Sequence, residues 1–214
     1  MTQPLMAGLA VLLMSVLALV GPALSVSPWW ITLLAALGLG SLSLDAARYG
    51  GRGGHLLAEA LPGGQARLRR IAVHEAGHLL VAEAEAMPVK RVLVGSLACL
   101  QAGLQSAGCT EFAPPEHAKL PAEELRRWSR VLQAGMAAEA LLYGEERGGA
   151  DDRALLGRLW GISGFDVDTA QRELRRARRE VDLALRQQRD SLEATAERLL
   201  EAAPRLGRTA NAPT

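Results

Sequence analysis

His74-Glu-Ala-Gly-His78 sets two imidazoles four residues apart, with a carboxylate beside the first. On a helix, residues at that spacing project from one face, so both rings reach a single divalent cation and Glu75 stands beside a water on it. Zinc lowers the pKa of such a water towards ~7, and a neighbouring carboxylate takes its proton as the water attacks a peptide carbonyl. The chemistry expected is metal-assisted peptide hydrolysis, with His74 and His78 as metal ligands and Glu75 as catalytic base. The plainer alternative is a helix that merely carries two histidines. The flanks speak against it, with Ile-Ala-Val before and Leu-Leu-Val after the motif. Two histidines and a glutamate on so apolar a helix need partners, and a metal provides them.

A catalytic zinc site needs a third protein ligand and leaves one position for water. His55 lies in a glycine-rich stretch and His117 in a proline-flanked one, so neither has a rigid support. The carboxylate candidates are Glu139, Asp151 and Asp152. Either aspartate is also suited to capping a helix after the glycines Gly148 and Gly149.

These residues need elements to hold them. A helix is expected to begin near Gln65, with Ile71, His74, His78 and Val81 on one face, and to end before Pro88. Residues 89–94, VKRVLV, are rich in β-branched types and predict a strand. The stretch to Phe112 contains glycines and suits an irregular hairpin. A further helix is expected from Pro121 to about Tyr143, with Glu123 and Glu124 at the positive end of its dipole and Gly144 as its left-handed cap. Asp151 and Asp152 lead into a short helix broken by Gly161 and Gly164. A long last helix is expected from about Asp166 to Ala203, with Val167, Ala170, Leu174, Ala177 and Val181 as its apolar stripe, continued by Leu192 and Leu199. Its arginines are interleaved with acids, which suits a solvated, paired face better than a nucleic-acid stripe.

The 214 residues are 49% hydrophobic with a formal net charge of +1, but the charge is unevenly placed. No Asp, Glu, Lys or Arg occurs before Asp45. Two apolar runs, Leu5 to Val20 and Trp29 to Leu44, each approach the ~17–25 residues that span a bilayer core. Pro4 and Pro28 suit first helical turns, and Trp29 and Trp30 suit a membrane boundary. The expectation is a transmembrane helical hairpin over residues 1–45. A signal peptide is disfavoured by an N-terminus without Lys or Arg, and a pair of buried core helices by the lack of a polar face. Arginines follow the second run, so the remainder is expected on the cytoplasmic side. Residues 46–64 read as a linker and 204–214 as a disordered tail. Neither half is basic enough to argue for nucleic acid. Cys99 and Cys109 are too few for a disulfide framework and read as free thiols.

Beyond the five-residue motif, the chain resembles the peptidase domain of the FtsH-type ATP-dependent zinc proteases. VHEAGHLLVA is similar to that family's HEAGHALVA helix, and Pro88 with the strand after it to a Pro-Val-x-x-Val segment. Ala107-Gly-Cys-Thr110 resembles a Gly-x-Thr strand bordering the cleft. Residues 134–144, AGMAAEALLYG, resemble GGRAAEELVFG, and GGADDRALL resembles the GAxxDL segment that supplies an aspartate as third ligand. Aligned from Gly148, that aspartate is Asp152, with Asp151 as runner-up. Residues 188–201 resemble the closing helix. The resemblance covers roughly residues 70–203 and implies a mainly α, zincin-type peptidase domain over 65–203 with a small strand element. It also implies Zn²⁺ held by His74, His78 and Asp152.

There are departures. No G-x-x-x-x-G-K-[ST] pattern occurs, so the expectation is a peptidase domain without the family's ATPase module, ATP-independent by itself. The segment from Val94 to Gly108 differs from the family in length. Met136 replaces an Arg, Ala140 a Glu, and Arg153 an apolar residue.

The function expected is a membrane-anchored zinc metalloendopeptidase acting on unfolded or membrane-associated polypeptide. The partners expected are that polypeptide substrate, the membrane, and further copies of the chain or an AAA ATPase or FtsH-type relative. The alternative is a non-proteolytic regulator of full-length FtsH-type complexes. A purely structural zinc site is the weakest reading, since it has no need of Glu75.

Overall fold

The structure, a computed structural model, describes residues 12, 15, 16, 27–49, 53–60, 62–115 and 117–205. It is mainly helical with one two-stranded sheet. The chain divides into two compact units, residues 1–54 and 55–214.

In the first unit, α1 runs over Pro28–Tyr49. The expected transmembrane hairpin is not upheld. Among the described residues no helix is long and apolar enough to cross a membrane, which overturns the expected integral-membrane, cytoplasmic-side placement. The physical reason lies in composition. The apolar run is diluted by Gly38, Gly40, Ser41 and Ser43 and continues into Asp45 and Arg48. The other expected span, Leu5 to Val20, and the residues after it to Val26 lie outside the described residues, except for Leu12, Ser15 and Val16, which are helical. The stretch expected as a linker also carries helix. α1 extends to Tyr49, and α2 spans Gly53–Ala60. The Gly53 amide donates to Asp45 Oδ1 at 2.6 Å, satisfying one of the orphan donors at the α2 N-terminus.

The second unit is built around α3, Gly64–Ala84. Pairs of small residues let α3 pack backbone to backbone against α5, Ala122–Tyr143. A Cβ on Gly77 would lie 2.5 Å from the Ala134 carbonyl and 2.8 Å from Ala138 Cβ. α5 begins after Pro121 with Glu123 and Glu124 in its first turn. It ends at Gly144, whose φ of 72° lets its amide close on Ala140 O. That close crossing presses the histidine face of α3 onto the middle of α5.

β1, Val89–Val94, follows Pro88 and pairs antiparallel with β2, Gly108–Phe112. Thr110 stands opposite Val92 and Cys109 opposite Leu93, with a register shift between Val89 and Arg91. The residues between the strands, expected as part of an irregular hairpin, hold a short helix, α4, over Ser96–Gln101. The Glu59 carboxylate caps it, accepting from the Ser96 amide at 3.0 Å and its hydroxyl at 2.6 Å. Cys99 is buried and Cys109 half-buried, and neither is in a disulfide.

α6, Ala150–Ile162, starts after Gly149, which is left-handed at φ 82°. Glycine thus occupies the cap, and both aspartates lie in the first turn. The single long C-terminal helix expected is two. α7 spans Val167–Gln187, capped by Asp166 accepting from the Thr169 amide at 2.8 Å, and α8 spans Arg189–Ala202. They part at Gln188, whose φ of −111° and ψ of 27° leave the helical region. Ala177, Val181 and Leu192 are buried as the stripe predicts, while Val167 is 68% exposed. Three arginines of α7 and α8 pair with acids one turn on, Arg176 with Glu180, Arg178 with Asp182 and Arg189 with Glu193. Residues 206–214 of the expected tail lie outside the described residues.

A candidate metal centre where α3, α5 and α6 converge

His74 and His78 lie one turn apart on α3, both buried, with ring centroids 4.8 Å apart and planes at 76°. Each ring is oriented through its Nδ1. His78 Nδ1 donates to the backbone carbonyl of Val131 at 2.8 Å. A carbonyl only accepts, so Nδ1 must carry the proton, and Nε2 is turned toward the site. His74 Nδ1 donates to Glu139 Oε1 at 2.7 Å. Such partners behind an imidazole fix its tautomer and raise its basicity as a ligand.

The two Nε2 atoms face Asp152. Its Oδ2 lies 3.1 Å from His74 Nε2 and 3.6 Å from His78 Nε2. One ligand atom from each of His74, His78 and Asp152 falls within 4.8 Å of the others, a group that could hold a metal ion. Two imidazole nitrogens and a carboxylate oxygen converging in this way need positive charge between them. Helix α5 leaves room for it. A Cβ on Gly135 would lie 2.6 Å from His78 Nε2 and press on His74 Nε2 as well. Gly135 is therefore a gap kept open against both nitrogens, and the donor set of two imidazoles and one carboxylate suits a zinc-type cation with a fourth position free.

Of the other sequence candidates, Asp151 is exposed and outside this group. His55 sits on α2 within 2.7 Å of Arg67, and His117 is exposed. Glu139 stands behind His74. It is 2% exposed, and its two oxygens also accept the amides of Gly148, at 3.1 Å, and Arg147, at 2.9 Å. Glycine at 148 is required by this approach, since a Cβ would lie 2.5 Å from Glu139 Oε1.

Glu75 is buried beside the two histidines, and the Thr110 hydroxyl donates to its Oε2 at 2.8 Å. A Cβ on Gly108 would lie 2.5 Å from the other oxygen, Oε1, and 2.5 Å from Ile71 Cγ2. So β2 both holds the carboxylate and leaves space over it.

The charges are tightly linked. Burial pushes the Glu75 carboxyl up, opposed by His78, His74 and the Thr110 hydrogen bond. Burial alone would depress His74. The hydrogen bonds to Asp152 and Glu139, and the charges of Glu75 and Asp152, outweigh it and lift the imidazole to about 10. Burial opposes ionisation of Asp152 too, but its hydrogen bonds to His74 and His78 hold it well below the usual carboxylate range. These hydrogen bonds and charges therefore favour the imidazolium form of His74.

Sequence reasoning did not find the Val131 carbonyl, the role of Glu139 behind His74, or the gap at Gly135. The glycine and glutamate lie inside the AGMAAEALLYG segment, so that segment was the available signal. A backbone carbonyl leaves none. A scan against protein-family models finds no match for this chain, and a search of the curated proteins finds none either.

Proposed function

We propose that this chain is a zinc-dependent endopeptidase resembling the FtsH-type peptidase domain, cutting unfolded or loosely folded polypeptide. The observation that carries the reading is the convergence of His74 Nε2, His78 Nε2 and Asp152 Oδ2, with Glu75 held beside them. A zinc ion bound there would polarise the scissile carbonyl and lower the pKa of the attacking water.

The chain's own residues supply the rest. Glu75 accepts a proton from the attacking water and can hand it to the leaving amine. Burial raises its proton affinity, which suits a base working near neutral pH. Thr110 fixes the carboxylate through Oε2 and leaves Oε1 on the side that Gly108 keeps open. Glu139 and the Val131 carbonyl hold the two imidazoles in their metal-binding orientation.

The test is metal analysis of the purified chain together with degradation of an unfolded, casein-type substrate, with and without a chelator. Stoichiometric zinc and chelator-sensitive cleavage are expected. Stoichiometric zinc without cleavage of any unfolded chain would replace the enzyme with the non-proteolytic partner.

A further inference from the structure

We infer that Arg70 is a positioning residue for the metal centre, fixing His74 through Glu139 from one helical turn away. The inference rests on the metal reading of the site.

Arg70 precedes His74 by four residues on α3, so both project from the same face of that helix. Its guanidinium is anchored on three sides. Nη2 donates to the Glu145 carbonyl at 3.2 Å, Nη1 to Glu145 Oε1 at 3.3 Å, and Cζ lies 4.5 Å over the Tyr143 ring. These contacts gather the end of α5 and the loop after it onto α3. The third guanidinium nitrogen, Nε, faces Glu139 Oε2 at 3.5 Å. The Arg70 side chain is only 16% exposed, so this pair is shielded from solvent.

The Glu139 carboxyl lies in an almost closed pocket, and Arg70 is a cation facing its Oε2 while His74 faces its Oε1. The carboxylate has one oxygen for His74 Nδ1 and the Gly148 amide, and the other for the Arg147 amide and Arg70. Without the guanidinium, Oε2 keeps one amide donor and no cation. The carboxylate is then held on that side by a single amide, and the loop that supplies both amides loses its tie to α3. Both changes disturb the direction in which His74 Nε2 points. Partners of this kind behind a ligand typically change metal affinity ~10–100-fold, and Arg70 acts one link further out.

The test compares zinc affinity, by chelator competition, and the visible absorption of the cobalt(II)-loaded full chain. Arg70→Met is expected to weaken zinc about tenfold and shift the cobalt bands. Arg70→Lys keeps the charge and is expected to recover most of that loss. Arg69→Met, which removes the same charge from an exposed neighbour paired with Glu197, is expected to change neither readout. Should Arg70→Met fail to fold, Arg70→Gln takes its place, since it keeps a donor toward Glu145. Arg70 variants that match Arg69→Met in both readouts overturn the inference. So does a Lys variant as weak as the Met variant, which would assign the effect to packing on Tyr143. A wild-type chain that binds neither metal overturns this inference and the metal reading together, whereas tight binding by every variant overturns this one alone.

Discussion

The Thr110 hydroxyl donates to Glu75 Oε2 at 2.8 Å across the gap between β2 and α3. This bond joins the β1–β2 pair to the helix that carries both histidines. It holds Oε2 of the carboxylate, and the proposed role as base falls to Oε1. Glu75→Gln keeps the size and the hydrogen bond but cannot take a proton. It is expected to retain zinc and fold normally while losing ~10²–10⁴-fold in turnover, the usual worth of general-base assistance. Thr110→Val should keep zinc as well and lose turnover by a smaller factor. A Gln variant as active as wild type in the casein assay would remove Glu75 from the mechanism.

Asp152 and Asp151 are adjacent in sequence and differ in geometry. Asp152 Oδ2 faces both Nε2 atoms, while Asp151 is exposed. Asp152→Asn should weaken zinc by more than about a hundredfold, beyond the ~10–100-fold of changes behind a ligand. Asp151→Asn should change it little. The reverse ranking in a zinc-retention measurement would move the ligand to Asp151.

What could be foreseen follows from how local each feature is. The spacing of His74 and His78 is a property of one helix, so it is legible in five residues. β1 and the ends of α5 are likewise written in neighbouring residues, the β-branched run and the Pro121 and Gly144 signals. The pairing of His74 with Glu139 spans 65 positions and depends on how closely α3 and α5 cross. The Val131 carbonyl belongs to a backbone that any residue would supply. The break at Gln188 has neither glycine nor proline to announce it. In α1 the leucines of the apolar run are interrupted by glycines and serines and followed by Asp45 and Arg48, and no described helix is apolar enough to cross a membrane.

Metal binding should release a proton. In the metal-free protein His74 is raised from 6.5 to about 10, so near neutral pH a cation must displace its proton. Apparent zinc affinity is expected to rise by about tenfold per pH unit between pH 6.5 and 9, as one proton competes for one site. The sign for stability is opposite. A raised pKa contributes stability that is complete below 6.5 and lost as pH rises through about 10. The chelated protein should therefore lose stability toward alkaline pH just where the metal binds best. Zinc affinity that is flat across this range, measured by chelator competition, would mean that His74 is already neutral.

Gly135 offers the sharpest separation of folding from metal binding. It sits inside α5, where alanine is favoured over glycine by ~1 kcal/mol, so Gly135→Ala is helpful to the helix considered alone. Its Cβ, however, would lie 2.6 Å from His78 Nε2 and press on His74 Nε2, in the space a cation needs at ~2.0–2.1 Å from each nitrogen. One methyl group thus competes with the ion for the same gap. The two rings cannot simply retreat, because Glu139 and the Val131 carbonyl hold them from behind. The variant is expected to keep its helical circular dichroism and to lose zinc affinity by more than about a hundredfold, with peptidase activity falling in step. Gly157→Ala on α6 is the matched control, because a Cβ there meets nothing within 4 Å. It should bind zinc like wild type and gain a little thermal stability from the same helix preference. If Gly135→Ala held zinc as tightly as Gly157→Ala, the cation would not lie between these two nitrogens, and the centre assigned to His74, His78 and Asp152 would have to be abandoned.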